Sequence, residues 1–480
     1  MISKLKQKWN SMPITVKAST SYALCSIVQR SLSFITLPLF TRMLTTEEYG
    51  EATLYYSWAS FLSIFITLNL AYGSFSTAMV KYKDERDKYI SSIQGICLAL
   101  SCVFLVGYLP FRNYWNKLLG LPTFLVIVMV MEQLATLAIQ LWSGKKRFEY
   151  KYKSVIGITL IMSIISPILS YIFVINSTQK GYARILGGVI TTFIFGLIIF
   201  LMNIHRGKKL YCGKFWKYAF GFNIPLLAYY LSQIIFNQSD RIMISKITGN
   251  SDAALYGVAY NFAMILTFVL NAINNSYVPW QYEKIEKNQQ SENRKVAIVI
   301  AGFMAILLLI IIWFAPEVIV ILAGKQYEPA VWVVPSVAMS LLLLFYSQLS
   351  INVEFYYQEK KDLIYASIGA AVVNIVLNAL FIPIFGFVAA GYATLISYII
   401  FAICNYIALL KILKKRNLKQ DMFDVKKLIM LFVGFMITGF LGVVLYDYFL
   451  IRIIITIIVF LVFLLKRNLF IEVYKKIKDK

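Results

Sequence analysis

An arginine lies in the middle of a membrane-length apolar stretch near the start of the chain. Arg30 follows Gln29, and at 3.6 residues per turn it shares one helical stripe with hydroxyl-bearing residues, among them Ser26 and Ser33. A guanidinium at bilayer depth costs at least about 2.5 kcal/mol, so it requires a water-filled cavity or an acidic partner. Arg30 is therefore the first candidate for a residue that binds a ligand inside the membrane.

A small number of other polar residues lie inside apolar runs. Glu132 is the best-placed acid: it either forms a buried salt bridge with Arg30, which leaves neither group for a substrate, or carries a coupling proton or cation. Asn237, Asn271 and Asn275 lie in later runs. Buried amides of this kind either join helices by hydrogen bonds or line a cavity.

Two further acids are interpreted as structural. Asp240 precedes Arg241 near the end of an apolar run, which indicates a capped, hydrated helix end. Glu354 lies within two turns of Lys360 and Lys361, which indicates an ion pair at the membrane interface.

Several kinds of chemistry are excluded by the absence of their motifs. The sequence has no phosphate-binding glycine loop, no dinucleotide fingerprint and no zinc-binding His-Glu helix motif. Its five cysteines are scattered and odd in number, so neither a disulfide framework nor a metal cluster is indicated. The segments between apolar runs are too short for a soluble catalytic domain. We expect no cofactor, no metal and no enzymatic activity.

The composition is that of an integral membrane protein. Of 480 residues, 59% are hydrophobic and only 15% are charged, against about a quarter charged in a typical soluble protein. The net charge of +24 would suggest nucleic acid in a soluble chain. Here the basic residues lie in short loops between apolar runs, where membrane topology and anionic lipid headgroups explain them. We therefore expect no nucleic-acid partner.

Hydropathy predicts about fourteen transmembrane helices, since each needs about 17 to 25 apolar residues. The last two, 428–446 and 448–465, are separated only by Asp447, and Arg452 is expected to snorkel to the interface. With both termini in the cytoplasm, most of the 47 Lys and Arg residues fall in cytoplasmic segments. The predicted fold class is an all-α integral membrane protein.

Weak internal repeats divide the helices into two sets of six. Gly181-Tyr182-Ala183, at the start of the sixth run, recurs as Gly391-Tyr392-Ala393 at the start of the twelfth. An even shift of six helices predicts two lobes related by a pseudo-twofold axis along the membrane normal. The expected organisation is an N-lobe at 1–210, a C-lobe at 211–415, and two extra helices with a basic tail at 416–480.

These features together resemble a known family. The polar helix around Gln29, its exit segment from Arg42 to Gly50, the segment from Asn237 to Arg241 before Tyr256-Gly257, and the twofold repeat are similar to the polysaccharide transporter family. That family contains the flippases for O-antigen or capsule repeat units, within the multidrug/oligosaccharidyl-lipid/polysaccharide export superfamily.

The resemblance implies a flippase in the bacterial inner membrane. Its substrate would be an oligosaccharide linked to undecaprenyl pyrophosphate, moved between leaflets by alternating access of the two lobes. Membrane lipids, a glycan polymerase and a chain-length regulator are the expected partners. We expect Arg30 to contact the pyrophosphate, because guanidinium geometry suits phosphate. The residues expected to line the path are Gln29, Asn237, Asn271 and Asn275, and Glu132 is expected to balance Arg30 or to carry the coupling ion.

Three alternatives remain open at this point. A drug or cation antiporter of the same superfamily shares the helix arrangement, but would be expected to use acids inside one lobe, where Glu132 is the one firm candidate. A membrane glycosyltransferase or glycan polymerase would need a long outer loop or an acidic pair at a membrane face. A purely structural scaffold is disfavoured by the repeat and its polar stripes.

Overall fold

A computed structural model of the chain describes residues 13–289, 291–359, 361–418 and 422–465, and within them it is helical throughout. The first helices are α1 (Ile14–Met43), α2 (Thr46–Thr67), α3 (Ser74–Lys81), α4 (Arg86–Tyr108), α5 (Arg112–Leu119), α6 (Thr123–Phe148), α7 (Tyr152–Ile175), α8 (Lys180–Gly207) and α9 (Gly213–Asn223). They are followed by α10 (Leu227–Ile247), α11 (Asn250–Ala263), α12 (Thr267–Glu286), α13 (Glu292–Trp313), α14 (Ala315–Ala323), α15 (Val334–Tyr356), α16 (Lys361–Phe385), α17 (Val388–Lys415), α18 (Val425–Val444) and α19 (Phe449–Leu465).

Twelve helical stretches of the described residues are long and apolar enough to cross a membrane. The predicted fold class, an all-α membrane protein, is confirmed. Helices α2 and α19 coincide with the second and the last predicted spans but fall outside these twelve, so the count of fourteen stays a prediction. The chain ends that the sequence assigns to the cytoplasm, 1–12 and 466–480, lie outside the described residues, as does Lys360.

The exit segment of the first span is explained by a helix cap. The Thr45 side chain accepts a hydrogen bond from the backbone N–H of Glu48 at 3.2 Å, and the Glu48 carboxylate accepts one from the backbone N–H of Thr45 at 2.8 Å. This reciprocal capping box satisfies two N–H groups that the first turn of α2 leaves without helical partners. The Thr-Thr-Glu-Glu sequence therefore fixes where α1 stops and α2 begins.

Pro225 interrupts the seventh predicted span. A short 3₁₀ turn at Ile224–Leu226 separates α9 from α10, because proline lacks the N–H that an uninterrupted α-helix needs. Pro167, by contrast, lies inside α7, which continues through it to Ile175.

The chain forms two compact units, one ending at Gln238 and the other beginning at Ser239. In the first unit α6 and α7 both pack against α8, and in the second α15 and α16 both pack against α17. This recurrence agrees with the internal repeat. The predicted lobe boundaries themselves stay a prediction.

The repeated glycines stand at close helix contacts in both units. A Cβ at Gly181 would lie 2.7 Å from the backbone oxygen of Glu48, and a Cβ at Gly391 would lie 2.3 Å from the Oγ of Ser336. Since real Cβ atoms do not approach so closely, the Gly-Tyr-Ala motif marks a packing requirement of the sixth and twelfth spans.

The prediction for Arg452 was wrong. Its side chain is 1% exposed and forms a bidentate ion pair with Glu317, at 2.9 Å from Nη1 and 2.5 Å from Nη2. It also donates to the backbone oxygens of Trp313 and Tyr446. Glu317 lies 135 residues earlier in the chain, so hydropathy alone could not reveal this partner. Arg452 connects α19 to α14 instead of reaching the interface.

Candidate functional site

A polar cavity of about 280 Å³ lies within the first unit. Four helices, α1, α2, α7 and α8, contribute its walls, and all four belong to the predicted N-lobe. The lining residues are Gln29, Leu32, Ser33, Thr36, Phe40, Tyr56, Ser163, Ser166, Pro167, Ser170, Arg184 and Gly188. Hydroxyl groups, one amide and one guanidinium thus line a partly open space between helices of a membrane protein.

Gln29 joins two walls of this cavity. Its Nε2 donates to the Oγ of Ser163 at 3.0 Å, which connects α1 to α7. The hydroxyls of Ser33 and Ser163 each donate to a backbone oxygen of their own helix, at 3.0 and 2.7 Å. Their oxygens therefore retain lone pairs that can accept hydrogen bonds from a ligand rich in hydroxyl groups.

Arg184 is a lining residue that the sequence interpretation missed, because its position near the start of the sixth span suggested only an outer-side basic residue. Its guanidinium carbon lies 4.0 Å from the centre of the Tyr49 ring and 5.1 Å from that of Phe40. Cation–π contacts of this kind hold a guanidinium in place on two faces. The signal that could have found it is the aromatic exit segment of α1 and α2, which supplies both rings.

Arg30 and Glu132 are not joined to each other. Arg30 is exposed on α1, one residue beyond Gln29, and is not among the cavity-lining residues. The carboxylate of Glu132 on α6 accepts a hydrogen bond from the hydroxyl of Tyr55 at 2.9 Å. Within the described chain Glu132 takes part in no ion pair, so this structure gives no support to the pairing alternative.

The three predicted amides lie on two helices, Asn237 on α10 and Asn271 and Asn275 on α12. Asn237 is half-buried in the first unit and donates to the backbone oxygen of Gln233 in its own helix at 2.7 Å. Asn271 and Asn275 are exposed on α12 of the second unit. Their role as path-lining residues stays a prediction.

The interpretation of Asp240 as a hydrated helix end was wrong. Helix α10 continues to Ile247, and Asp240 is 1% exposed. Its carboxylate accepts three hydrogen bonds, from the hydroxyl of Tyr256 at 2.5 Å, the amide of Asn378 at 2.5 Å and the hydroxyl of Thr394 at 2.7 Å. A charge doublet before further apolar residues was thus mistaken for a terminus.

The network around Asp240 extends to a fourth residue. Asn374 accepts hydrogen bonds from Ser239 at 2.9 Å and from Asn378 at 3.2 Å, and it donates to Thr394 at 3.3 Å. Helices α10, α11, α16 and α17 are therefore joined through one buried carboxylate with neutral donors. Buried networks of this kind specify how helices pack, and a buried charge is also a candidate functional group.

Glu354 also differs from its prediction. It is fully buried, and neither carboxylate oxygen has a hydrogen-bond partner among the described residues. The expected ion pair with Lys361 is not formed, since the helix directs Glu354 into the packed side of α15.

No group of three or more His, Cys, Asp or Glu side chains in the described ranges is placed to hold a metal ion.

The fold defines an all-α membrane protein with several candidate spans, and its first unit contains a polar cavity. The chain superposes on a lipid II flippase MurJ in an inward closed conformation with a TM-score of 0.67 and 18% identity, over 92% of this chain and 100% of that one. It superposes on an inward-facing multidrug resistance MATE transporter of the MOP superfamily with a TM-score of 0.62 and 14% identity, over 83% and 98% of the two chains. At these identities the likeness shows a common fold.

The chain belongs to the family described as polysaccharide biosynthesis protein, whose model matches residues 15–284. It is 21% identical over 367 residues to a protein of the Lsg locus of Haemophilus influenzae, covering 75% of this chain and 89% of that protein. It is 22% identical over 329 residues to the succinoglycan biosynthesis transport protein ExoT of Rhizobium meliloti, covering 64% and 62%. The family resemblance inferred from the sequence is confirmed, and the relatives and fold neighbours whose names state an activity are transporters or flippases.

Proposed function

We propose that this protein is a flippase for a lipid-linked oligosaccharide of surface polysaccharide synthesis. Its substrate is an oligosaccharide repeat unit on undecaprenyl pyrophosphate, moved from the inner to the outer leaflet of the bacterial cytoplasmic membrane. The polymer is O-antigen, capsule or a related polysaccharide, and transport proceeds by alternating access of two lobes. Both termini are placed in the cytoplasm, where a positive-inside topology puts them.

One observation carries this proposal: a hydroxyl- and amide-lined cavity lies between four helices, with a guanidinium in its wall. Sugars present many hydroxyl groups, which exchange hydrogen bonds with serines and with Gln29. The pyrophosphate is anionic and requires a cation, whereas the isoprenoid tail can stay in lipid. A polar, cationic cavity in a member of a polysaccharide biosynthesis family suits such a headgroup.

The roles proposed for single residues follow from the sequence. Arg30 contacts the pyrophosphate in mid-transit, since it is exposed on the same helix as the cavity residue Gln29. Asn237, Asn271 and Asn275 line further parts of the path. Glu132 carries the coupling ion, a role supported by its having no ion-pair partner in the described chain and one neutral donor, Tyr55. A polymerase and a chain-length regulator receive the product.

Surface glycan in a deletion strain tests the proposal. Complementation with the wild-type gene restores export, and Arg30→Ala abolishes it while Arg30→Lys retains part, because lysine keeps the charge but loses the bidentate geometry. Glu132→Gln keeps an acceptor for Tyr55, so it preserves the fold and stops coupled transport. Each variant is compared at equal membrane abundance. Wild-type export by Arg30→Ala would remove Arg30 from the mechanism, and normal glycan in the deletion strain would refute the flippase function.

An export of cationic drugs is the second candidate, favoured by the fold shared with the MATE transporter. The cavity argues against it, because its described lining contains Arg184 and no acidic residue, and a cationic drug would be repelled there. Resistance to cationic dyes on overexpression, with unchanged glycan in the deletion strain, would support the antiporter instead.

A further inference from the structure

The guanidinium of Arg184 stands at the cavity without an acidic partner. Among the described residues it forms no ion pair, and its Nη1 is buried with no hydrogen-bond partner. Its position is set by the rings of Tyr49 and Phe40, with the ring centres 4.0 and 5.1 Å from the guanidinium carbon. Arg184 is therefore held by stacking, and it lines the cavity from which an acceptor can approach its guanidinium.

The charged guanidinium of Arg184 at this cavity requires a compensating anion. Stacking on two rings offsets part of the cost of removing a guanidinium from water, but ring faces do not accept its in-plane N–H bonds. Buried charges in membrane helices are paired or mark a ligand path. Because the described part of the chain supplies no carboxylate to Arg184, the compensating charge is that of a ligand.

The other lining residues suit a phosphate ligand. Ser166 and Ser170 on α7 and Tyr56 on α2 line the same cavity as Arg184, so neutral hydroxyls surround the guanidinium. A bidentate guanidinium with additional hydroxyl donors matches the oxygens of a phosphate group. A carboxylate in the wall would repel such an anion, and the described lining has none.

We propose that Arg184 binds a phosphate of a lipid headgroup within this cavity, at a depth different from that of Arg30. Arg184 stacks on Phe40, which lies ten residues beyond Arg30 on α1, or about 15 Å along the helix axis at 1.5 Å per residue. The two guanidinium groups form successive binding sites for one phosphate-bearing headgroup. The source of the phosphate rests on the proposed function: we take it to be a lipid-linked pyrophosphate rather than a membrane phospholipid.

Lipid retention by the purified full chain, measured by native mass spectrometry, tests this site. Three lipids are offered separately: undecaprenyl pyrophosphate, undecaprenol, which has the same tail and no phosphate, and phosphatidylglycerol, which has a phosphodiester on acyl tails. The wild-type protein retains the pyrophosphate lipid over undecaprenol, and Arg184→Gln lowers that retention roughly 10- to 100-fold, the range expected for a lost charge-assisted contact.

Matched variants separate binding from folding. Arg112→Gln removes an exposed arginine of the same unit and leaves retention unchanged. Arg184→Lys restores part of the retention, because the charge returns without the planar fork. Ser166→Ala removes one hydroxyl from the cavity wall without touching the stacked arginine, and it lowers retention several-fold even if Arg184→Gln does not fold.

The outcomes distinguish the two possible sources and the two proposals. Arg184-dependent retention of undecaprenyl pyrophosphate above phosphatidylglycerol supports the site with a lipid-linked intermediate as ligand. Equal Arg184-dependent retention of both supports the phosphate site and assigns it to bilayer lipid. Unchanged retention in folded Arg184→Gln, together with unchanged retention in Ser166→Ala, overturns the site, even where the deletion strain loses its glycan. Arg184-dependent retention with normal glycan in that strain would instead overturn the proposed function alone.

Discussion

The hydroxyl of Tyr256 donates to the carboxylate of Asp240 at 2.5 Å, and this contact joins α10 to α11 inside the second unit. Asn378 and Thr394 donate to the same carboxylate from α16 and α17. Four helices thus share polar contacts with one buried acid. Neutral donors satisfy the carboxylate of this acid. Its position is therefore set by shape and hydrogen-bond matching rather than by an ion pair.

Substitutions at Asp240 should separate its hydrogen bonds from its charge. Asp240→Ala leaves three buried donors without an acceptor, each worth about 1 to 3 kcal/mol, and should strongly lower the apparent Tm of the purified protein. Asp240→Asn should cost far less, because the amide oxygen accepts from Asn378 and its NH₂ donates to a hydroxyl, which both donates and accepts. Tm measurements in detergent compare the two variants with wild type.

Glycan export by Asp240→Asn then tests the charge. Loss of export with a nearly unchanged Tm would assign the charge a role in transport, whereas retained export would leave Asp240 a structural residue. Equal thermal destabilisation by alanine and asparagine would contradict the account of its hydrogen bonds.

The ion pair of Arg452 and Glu317 should stabilise the attachment of α19. Arg452→Met leaves Glu317, whose side chain is 28% exposed, without its bidentate partner and should cost about 1 to 3 kcal/mol, less than the loss of a fully buried pair. The double variant Arg452→Met, Glu317→Leu should recover part of this loss, since it removes both charges together. The apparent Tm of both single variants and the double variant gives the coupling.

An exposed pair provides the control for that cycle. Lys411 and Asp362 are 3.7 Å apart with side chains 64% and 42% exposed, so Lys411→Met should change the apparent Tm little. Comparable losses from Lys411→Met and Arg452→Met would show that general charge removal, not the buried pair, sets the result.

Local patterns in the sequence were sufficient for the helices and for one wall of the cavity. Apolar runs placed the spans, and the polar stripe of α1 contained the lining residues Gln29 and Ser33. These features depend on residues within a few turns of one another. Hydropathy and helical periodicity therefore predict them directly.

Contacts between distant segments explain the errors. Arg184 reaches the cavity only because α8 packs beside the exit of α1, more than a hundred residues earlier. Asp240 is buried by Asn378 and Thr394, which lie 138 and 154 residues away. A charged residue near the end of an apolar run looks the same in sequence whether it is hydrated or enclosed by other helices.

The stability contributed by Glu149 should depend on pH. Burial raises the pKa of this carboxyl, but Lys151, Lys145 and Lys146 together outweigh burial and hold its pKa below its usual value. The ion-pair distances are 3.0 Å to Lys151, 3.4 Å to Lys145 and 3.5 Å to Lys146. Because the folded-state pKa is lowered, this stabilisation is present above the unfolded-state pKa of about 4.3 and is lost as the pH falls through the folded-state value.

Glu149→Gln should therefore lower the apparent Tm near neutral pH, by the equivalent of about 1 kcal/mol. As the pH falls through the folded-state pKa of Glu149, the variant and the wild type should converge, since both then carry a neutral side chain. Glu328→Gln, at an exposed position, serves as the control. Its difference in apparent Tm from the wild type should not shrink toward acid pH. A difference from wild type that grows toward acid pH would have the wrong sign for a carboxyl with a lowered pKa.

Two glycines of α4 should respond in opposite ways to alanine. A Cβ at Gly95 would lie 1.8 Å from the backbone oxygen of Leu210, in the connection between α8 and α9, whereas a Cβ at Gly107 would have no neighbour within 4 Å. Gly95→Ala must displace a backbone segment and should destabilise the protein by about 1 to 3 kcal/mol or more. Gly107→Ala should be neutral or stabilising by up to about 1 kcal/mol, because alanine favours the helix. Apparent Tm values of the two variants, made in the same helix, decide between packing and helix propensity. A lower Tm for both variants would show that propensity and lipid contacts dominate. A lower Tm for Gly95→Ala alone would confirm that the connection between α8 and α9 packs closely against α4.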